Sequence, residues 1–73
     1  MNALCLVRLS GKEPYKTVQE IKTIKGVEEV FLTFGRFDAA VFLTAPDING
    51  IKDFAKALHS RTGIKRTETL MEL

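Results

Sequence analysis

Residues 27–45 read VEEVFLTFGRFDAAVFLTA, two β-branched and aromatic runs divided by one glycine. Val27 to Phe34 has the composition of a strand, and so has Phe37 to Ala45. Gly35-Arg36 leaves room only for a tight turn, and two strands so joined pair antiparallel. Pro46 stops the second strand, and Asp47 follows it as a helix N-cap. Ile51, Phe54, Ala55 and Leu58 then recur at i, i+3, i+4 and i+7, which predicts an amphipathic helix ending near Arg61. Gly63 closes it, and Ile64 to Leu73 reads as a last strand.

Upstream, Ala3 to Leu9 is an apolar run with Arg8 as its one charge, bounded by Ser10-Gly11-Lys12. It reads as a buried strand. Pro14 suits a first helical turn, where its missing N–H costs little. Tyr15, Val18, Ile21 and Ile24 form a stripe that predicts a helix over 14–25, with Gly26 in the left-handed position after its end. The order is β-α-β-β-α-β, and the halves echo each other: Lys25-Gly26-Val27 follows one helix as Thr62-Gly63-Ile64 follows the other. Two interleaved, right-handed βαβ units give an α+β, ferredoxin-like domain: a four-stranded antiparallel sheet with both helices on one face.

Composition sets the frame. Seventy-three residues hold one small domain. With 45% hydrophobic residues, 27% charged and a net charge of +2, neither disorder nor a strongly basic surface is expected. Arg61, Lys65 and Arg66 form the densest basic patch and read as a solvated helix end, so no direct nucleic-acid contact is expected. No apolar run approaches the roughly 20 residues that span a bilayer, no signal peptide is legible before the first strand, and no membrane partner is expected. The one cysteine, Cys5, lies inside an apolar run and reads as a small buried hydrophobe. A reducing, cytoplasmic location fits that usage.

The strand pattern carries more. Ala3, Cys5, Val7 and Leu9 point one way, while Leu4 and Leu6 point the other with Arg8. Phe37, Ala39, Val41 and Leu43 point one way, while Ala40 and Phe42 point the other with Asp38 and Thr44. Both faces of the central strands are therefore apolar. An isolated sheet with one open face should alternate apolar and polar. At about 25 cal/mol per Å² of apolar area, leaving Leu4, Leu6 and Phe42 in water forgoes several kcal/mol. A second copy packed sheet against sheet resolves this, so a twofold homodimer is expected. The rival is a cover made by Leu70 to Leu73.

Enzyme chemistry has little footing in these residues. The chain has no GxxxxGK[ST] or GxGxxG loop. Its one histidine, His59, has no second ligand at metal spacing, and Ser10 and Ser60 have no partner base. No catalytic residue, metal or cofactor is expected. Two short stretches stand out instead. In Thr33-Phe34-Gly35-Arg36-Phe37-Asp38, the glycine frees backbone N–H groups for an anion, and Asp38 at the edge of an apolar layer suits an ammonium. Taken alone, the pair also reads as a turn glycine and a turn-capping aspartate. Arg66-Thr67-Glu68-Thr69 puts two hydroxyls on one strand face and two charges on the other, and alone it is a solvated strand.

Together, Gly35-x-x-Asp38 after a strand, Gly26 to Val30 (Gly-Val-Glu-Glu-Val), Gly63-Ile64 and Arg66-Thr67-Glu68-Thr69-Leu70 resemble the effector-binding (RAM) domain of the Lrp/AsnC transcriptional regulators. The resemblance runs over essentially the whole chain. It implies a non-enzymatic module that binds an amino acid or similar metabolite between subunits. It also implies dimers through the open sheet face and rings of dimers, octamers or decamers. Carried over, Asp38 takes the ligand's ammonium and the N–H groups around Gly35 and Arg36 take its carboxylate. Thr67, Glu68 and Thr69 line the cleft from a neighbouring chain, and Thr33 is a further candidate. The family's regulators carry a helix-turn-helix domain, whereas here Met1 runs directly into the first strand. A single effector domain over 1–73, with full-length regulators as further partners, is the expectation. Two other readings share the topology. A small dimeric α+β barrel enzyme would need Tyr15 or His59 inside a cavity. An ACT-like regulatory domain would bind its ligand at Ser10-Gly11-Lys12.

Overall fold

The computed structural model describes residues 1–11 and 13–72. Its elements are β1 (Asn2–Leu9), α1 (Pro14–Lys22), β2 (Val27–Leu32), β3 (Ala39–Thr44), α2 (Ile48–His59) and β4 (Ile64–Met71). All strand pairs are antiparallel, in the order β2-β3-β1-β4. This is the ferredoxin-like arrangement, with the first and third strands at the centre and the last strand at an edge.

The core lies on the helix side of the sheet. Ala3, Cys5, Val7, Val30, Ala39, Val41 and Leu43 meet Val18 and Ile21 of α1 and Ile51, Phe54 and Leu58 of α2. Asp47 caps α2 as expected, its Oδ1 accepting the Gly50 N–H at 3.1 Å. Helix α1 is shorter than the stripe predicts, ending at Lys22, and Tyr15 is 71% exposed. The face α1 turns inward is Thr17, Val18 and Ile21. Thr17, whose hydroxyl donates to the Glu13 carbonyl, packs there beside Gly63. Ile24 lies beyond the helix and still packs against the core.

Gly26 does not cap α1 directly. It sits in a β-turn closed by the Val27 N–H on the Ile24 carbonyl, at φ +95°. A Cβ there would stand 2.8 Å from the Thr44 carbonyl oxygen, part of a backbone that also donates the Thr44 N–H to Gly26. Gly26→Ala combines a left-handed backbone with a backbone clash. We expect it to lower the unfolding free energy by roughly 1–3 kcal/mol, read as a lower urea midpoint at unchanged slope.

The other sheet face carries Leu4, Leu6, Phe31, Ala40, Phe42 and Leu70, brought together by the register Leu4↔Phe42, Leu6↔Ala40, Phe31↔Ala40 and Leu4↔Leu70. The Phe31 and Phe42 rings lie 5.5 Å apart, yet the residues stay 42% and 39% exposed. Nothing in the described chain folds over this face. Leu70 and Met71 are committed to β4, Leu70 is half exposed, and Leu73 lies outside the described residues.

Candidate functional site

The connection between β2 and β3 is longer than a tight turn. The strands stop at Leu32 and resume at Ala39, leaving residues 33–38 as a structured tip. Short polar side chains take the backbone groups that a longer ladder would have used. The Thr33 N–H donates to the Asp38 carbonyl at 2.8 Å, and the Thr33 hydroxyl donates to the Phe37 carbonyl at 2.9 Å. Gly35, at φ +113°, makes the reversal.

The tip is pinned to the end of β1 at three points. The Asp38 N–H donates to the Val7 carbonyl at 2.8 Å, and the Leu9 N–H donates to Asp38 Oδ2 at 2.9 Å. The Arg8 guanidinium donates to the Arg36 carbonyl. Leu9 lies past the last β1–β3 pair, Val7↔Ala39, so its N–H has no ladder partner on that side, and Asp38 supplies one. One carboxylate oxygen of Asp38 is thus structural. Asp38→Ala leaves the partly buried Leu9 N–H without its partner and is expected to cost about 1–3 kcal/mol with no ligand present, whereas Asp38→Asn keeps an acceptor and costs less. Urea unfolding of the two variants checks this.

Pinned in this way, the tip and the edge strand wall a cleft of about 380 Å³, lined by Arg8, Arg36, Phe37, Arg66 and Glu68. Two expected site residues, Arg36 and Glu68, therefore line one cleft within a single chain. Thr33, Gly35 and Asp38 support the tip without lining the cleft, and Thr67 and Thr69 do not line it either. They pair with Val7 and Cys5 on the helix side of the sheet, and the Thr69 hydroxyl donates to Cys5 Sγ at 3.5 Å. Arg66 is not part of a helix-end patch. It stands on the open face directly across from Arg8. A like-charged pair opposite each other on one face is destabilising. Among the described residues the one ion pair is Glu13–Lys16, at the start of α1, so none of the three guanidinium groups is neutralised by a carboxylate. Sequence reasoning missed Arg8, Phe37 and Arg66 as cleft residues. Arg8 stood out only as the lone charge in an apolar run, and its neighbour Arg66 is 58 positions away, so the β1–β4 register alone unites them.

Other regions offer less. A larger hollow, about 430 Å³, lies at the far end of the sheet among Asn2, Ala3, Glu28, Glu29, Phe42 and Leu43, with two acids and no cationic side chain in its lining. Burial pushes the Cys5 thiol up from its ordinary range, against smaller opposing hydrogen bonds from Thr69 and the Glu68 backbone, so it is a core residue and not a nucleophile. Tyr15 and His59 are exposed on their helices rather than placed inside a cavity. In Ser10-Gly11-Lys12, Lys12 lies outside the described residues. Among the described residues no group of three His, Cys, Asp or Glu side chains is placed to hold a metal, and no helix is long and apolar enough to cross a membrane.

Comparison with known proteins agrees with this architecture. TTHA0845 from Thermus thermophilus superposes with a TM-score of 0.91 at 26% identity, over 99% of this chain and 91% of that one. AsnC from E. coli matches with a TM-score of 0.87 at 18% identity, over 99% of this chain and 50% of its own. The transcriptional regulator NMB0573 from Neisseria meningitidis, in its L-Met complex, matches with a TM-score of 0.86 at 19% identity, over 99% of this chain and 49% of its own. The chain thus spans about half the length of these two regulators and nearly all of the Thermus protein. A search of curated proteins returns no match. A family model for the Lrp/AsnC ligand binding domain matches residues 2–73. By that match over its whole length, the chain belongs to the Lrp/AsnC ligand-binding domain family.

Proposed function

We propose that this chain is a non-enzymatic regulatory module that binds an amino acid or similar small metabolite and acts on transcription through its state of assembly. The single observation that carries this reading is the placement of Arg36 and Glu68 on one cleft beside the pinned hairpin tip. A zwitterion needs both a cationic and an anionic group on the site that holds it, and this cleft has both in its lining. The N–H groups of Gly35 and Arg36 take the ligand's carboxylate. Its ammonium goes to Glu68, while Asp38, outside the cleft lining and bonded to the Leu9 N–H, serves to fix the tip. Thr33 supports the tip through its bond to Phe37. That NMB0573 was seen with L-Met favours an amino acid as the ligand class.

Assembly follows from the open face. A second copy laid over Leu4, Leu6, Phe42 and Leu70 removes that apolar surface from water and covers the side of the cleft that borders it. Thr67 and Thr69 lie on the helix side of the edge strand β4, so they reach a ligand only where a neighbouring copy meets that edge, as in a ring of four or five dimers. Full-length regulators of the family present the same fold and are natural partners in such rings. The module works in the cytoplasm without contacting nucleic acid itself.

Thermal unfolding with each of the twenty amino acids at high millimolar concentration tests the reading. A ligand at a hundred times its dissociation constant adds about 2.7 kcal/mol, which raises the midpoint of a domain this size by several degrees. We expect such a rise with one amino acid or a small related set. A flat response to all twenty overturns the reading.

A further inference from the structure

From the charge of the cleft we infer that its ligand is an acidic amino acid, a dicarboxylate with an α-ammonium, rather than a neutral one. The inference rests on the amino-acid reading above and narrows it. A neutral amino acid brings one carboxylate and one ammonium. The tip N–H groups with Arg36 answer the first, and Glu68 answers the second. Arg8 and Arg66 then remain, opposite each other on the same face and without a carboxylate partner among the described residues. Two guanidinium groups in that position repel, and a second ligand carboxylate placed between them removes the repulsion and gains charge-assisted, forked hydrogen bonds. Arg8 already spends one donor on the Arg36 carbonyl, which holds it at the cleft and leaves other N–H groups for the ligand.

Three guanidinium groups and one carboxylate line the cleft, so its lining is positive by two charges. A ligand with two carboxylates and one ammonium, net −1, offsets part of that excess, and a neutral amino acid offsets none of it. Glu68 argues against a phosphate or another bare anion, because nothing in such a ligand answers its charge. The volume of about 380 Å³ admits a ligand of this size.

The test is the unfolding midpoint of the full chain at fixed ionic strength with aspartate, glutamate, asparagine, glutamine, leucine, methionine or inorganic phosphate. We expect aspartate or glutamate to raise the midpoint by several degrees and to bind at least tenfold more tightly than its own amide. In Arg66→Gln that preference should fall to near unity, while the midpoint without ligand does not drop, because a repulsion has been removed. Arg66→Lys should keep the sign of the preference. Binding of a neutral amino acid as tight as that of either acid overturns the inference and leaves the amino-acid reading standing. An equal rise with phosphate also overturns it, marking a general anion site. No rise with any amino acid overturns both.

Discussion

Phe42→Glu is expected to leave the chain monomeric at concentrations where the parent is a dimer, with its helix and strand content unchanged. Phe42 sits near the middle of the open face, opposite Leu4 and against Phe31. Losing a buried phenylalanine costs about 3–5 kcal/mol, and a twofold interface repeats the loss in the second copy. At about 1.4 kcal/mol per factor of ten, the dissociation constant should rise at least 100-fold. The fold itself should survive, because the core lies on the other side of the sheet and Phe42 contributes nothing to it. Light scattering coupled to size exclusion reads the mass, and far-ultraviolet circular dichroism reads the fold. A variant that stays dimeric places the interface elsewhere and removes the support for a sheet-to-sheet assembly.

Leu58→Ala is expected to be the most destabilising of the substitutions considered. Leu58 is fully buried in α2, the helix that lies along β4, and belongs to the core cluster with Ile51 and Phe54. Truncation of such a leucine costs about 2–5 kcal/mol, with the larger values where the void cannot collapse. A domain of this size loses roughly 4–8 °C in midpoint for each kcal/mol, so a fall of more than about 10 °C is expected. Scanning calorimetry at matched protein concentration checks it, since the proposed dimer would make the midpoint concentration-dependent. A fall of under a few degrees contradicts the packing of α2 on the sheet.

The two variants probe opposite faces of one sheet, and the contrast shows what was legible in the residues. Alternation in Ala3 to Leu9 and Phe37 to Leu43 assigns each side chain to a face, and the described structure keeps the assignments in β1 and β3. Phe37, assigned with Ala39 to the core side, instead lies in the tip outside β3 and lines the cleft with Arg8, Arg66 and Glu68. Local chemistry was equally plain at Asp47, a cap with its acceptor three residues from Gly50. The first helix was less so. Tyr15 has the spacing of a core residue but stands in the first turn, where the contact stripe of α1 runs through Thr17 instead. Spacing identifies a face, not how far the sheet extends beneath it.

The candidate site was legible only in part. Gly35, Arg36 and Asp38 were visible because a hairpin is a local object. That Asp38 spends an oxygen on Leu9 was not visible, because that bond joins residues 29 positions apart. Arg66 and Glu68 were noted as charges on one strand face, and Thr67 and Thr69 as hydroxyls on the other, which β4 bears out. Nothing in the order of residues said that Glu68 would share a cleft with Arg36 and that Arg66 would stand across from Arg8.

By itself, then, the sequence determined the order of elements, the face to which each strand residue belongs, and the excess of apolar surface that calls for a partner. These follow from periodicities of two and 3.6 residues and from turn and cap chemistry, all acting within a few residues of chain. The tertiary structure decided the register of β1 against β4, the anchoring of the hairpin tip by Arg8 and Asp38, and hence the three guanidinium groups and one carboxylate around a single cleft. Pairing between chain ends depends on how the whole core packs. No local pattern encodes which charges such pairing brings face to face.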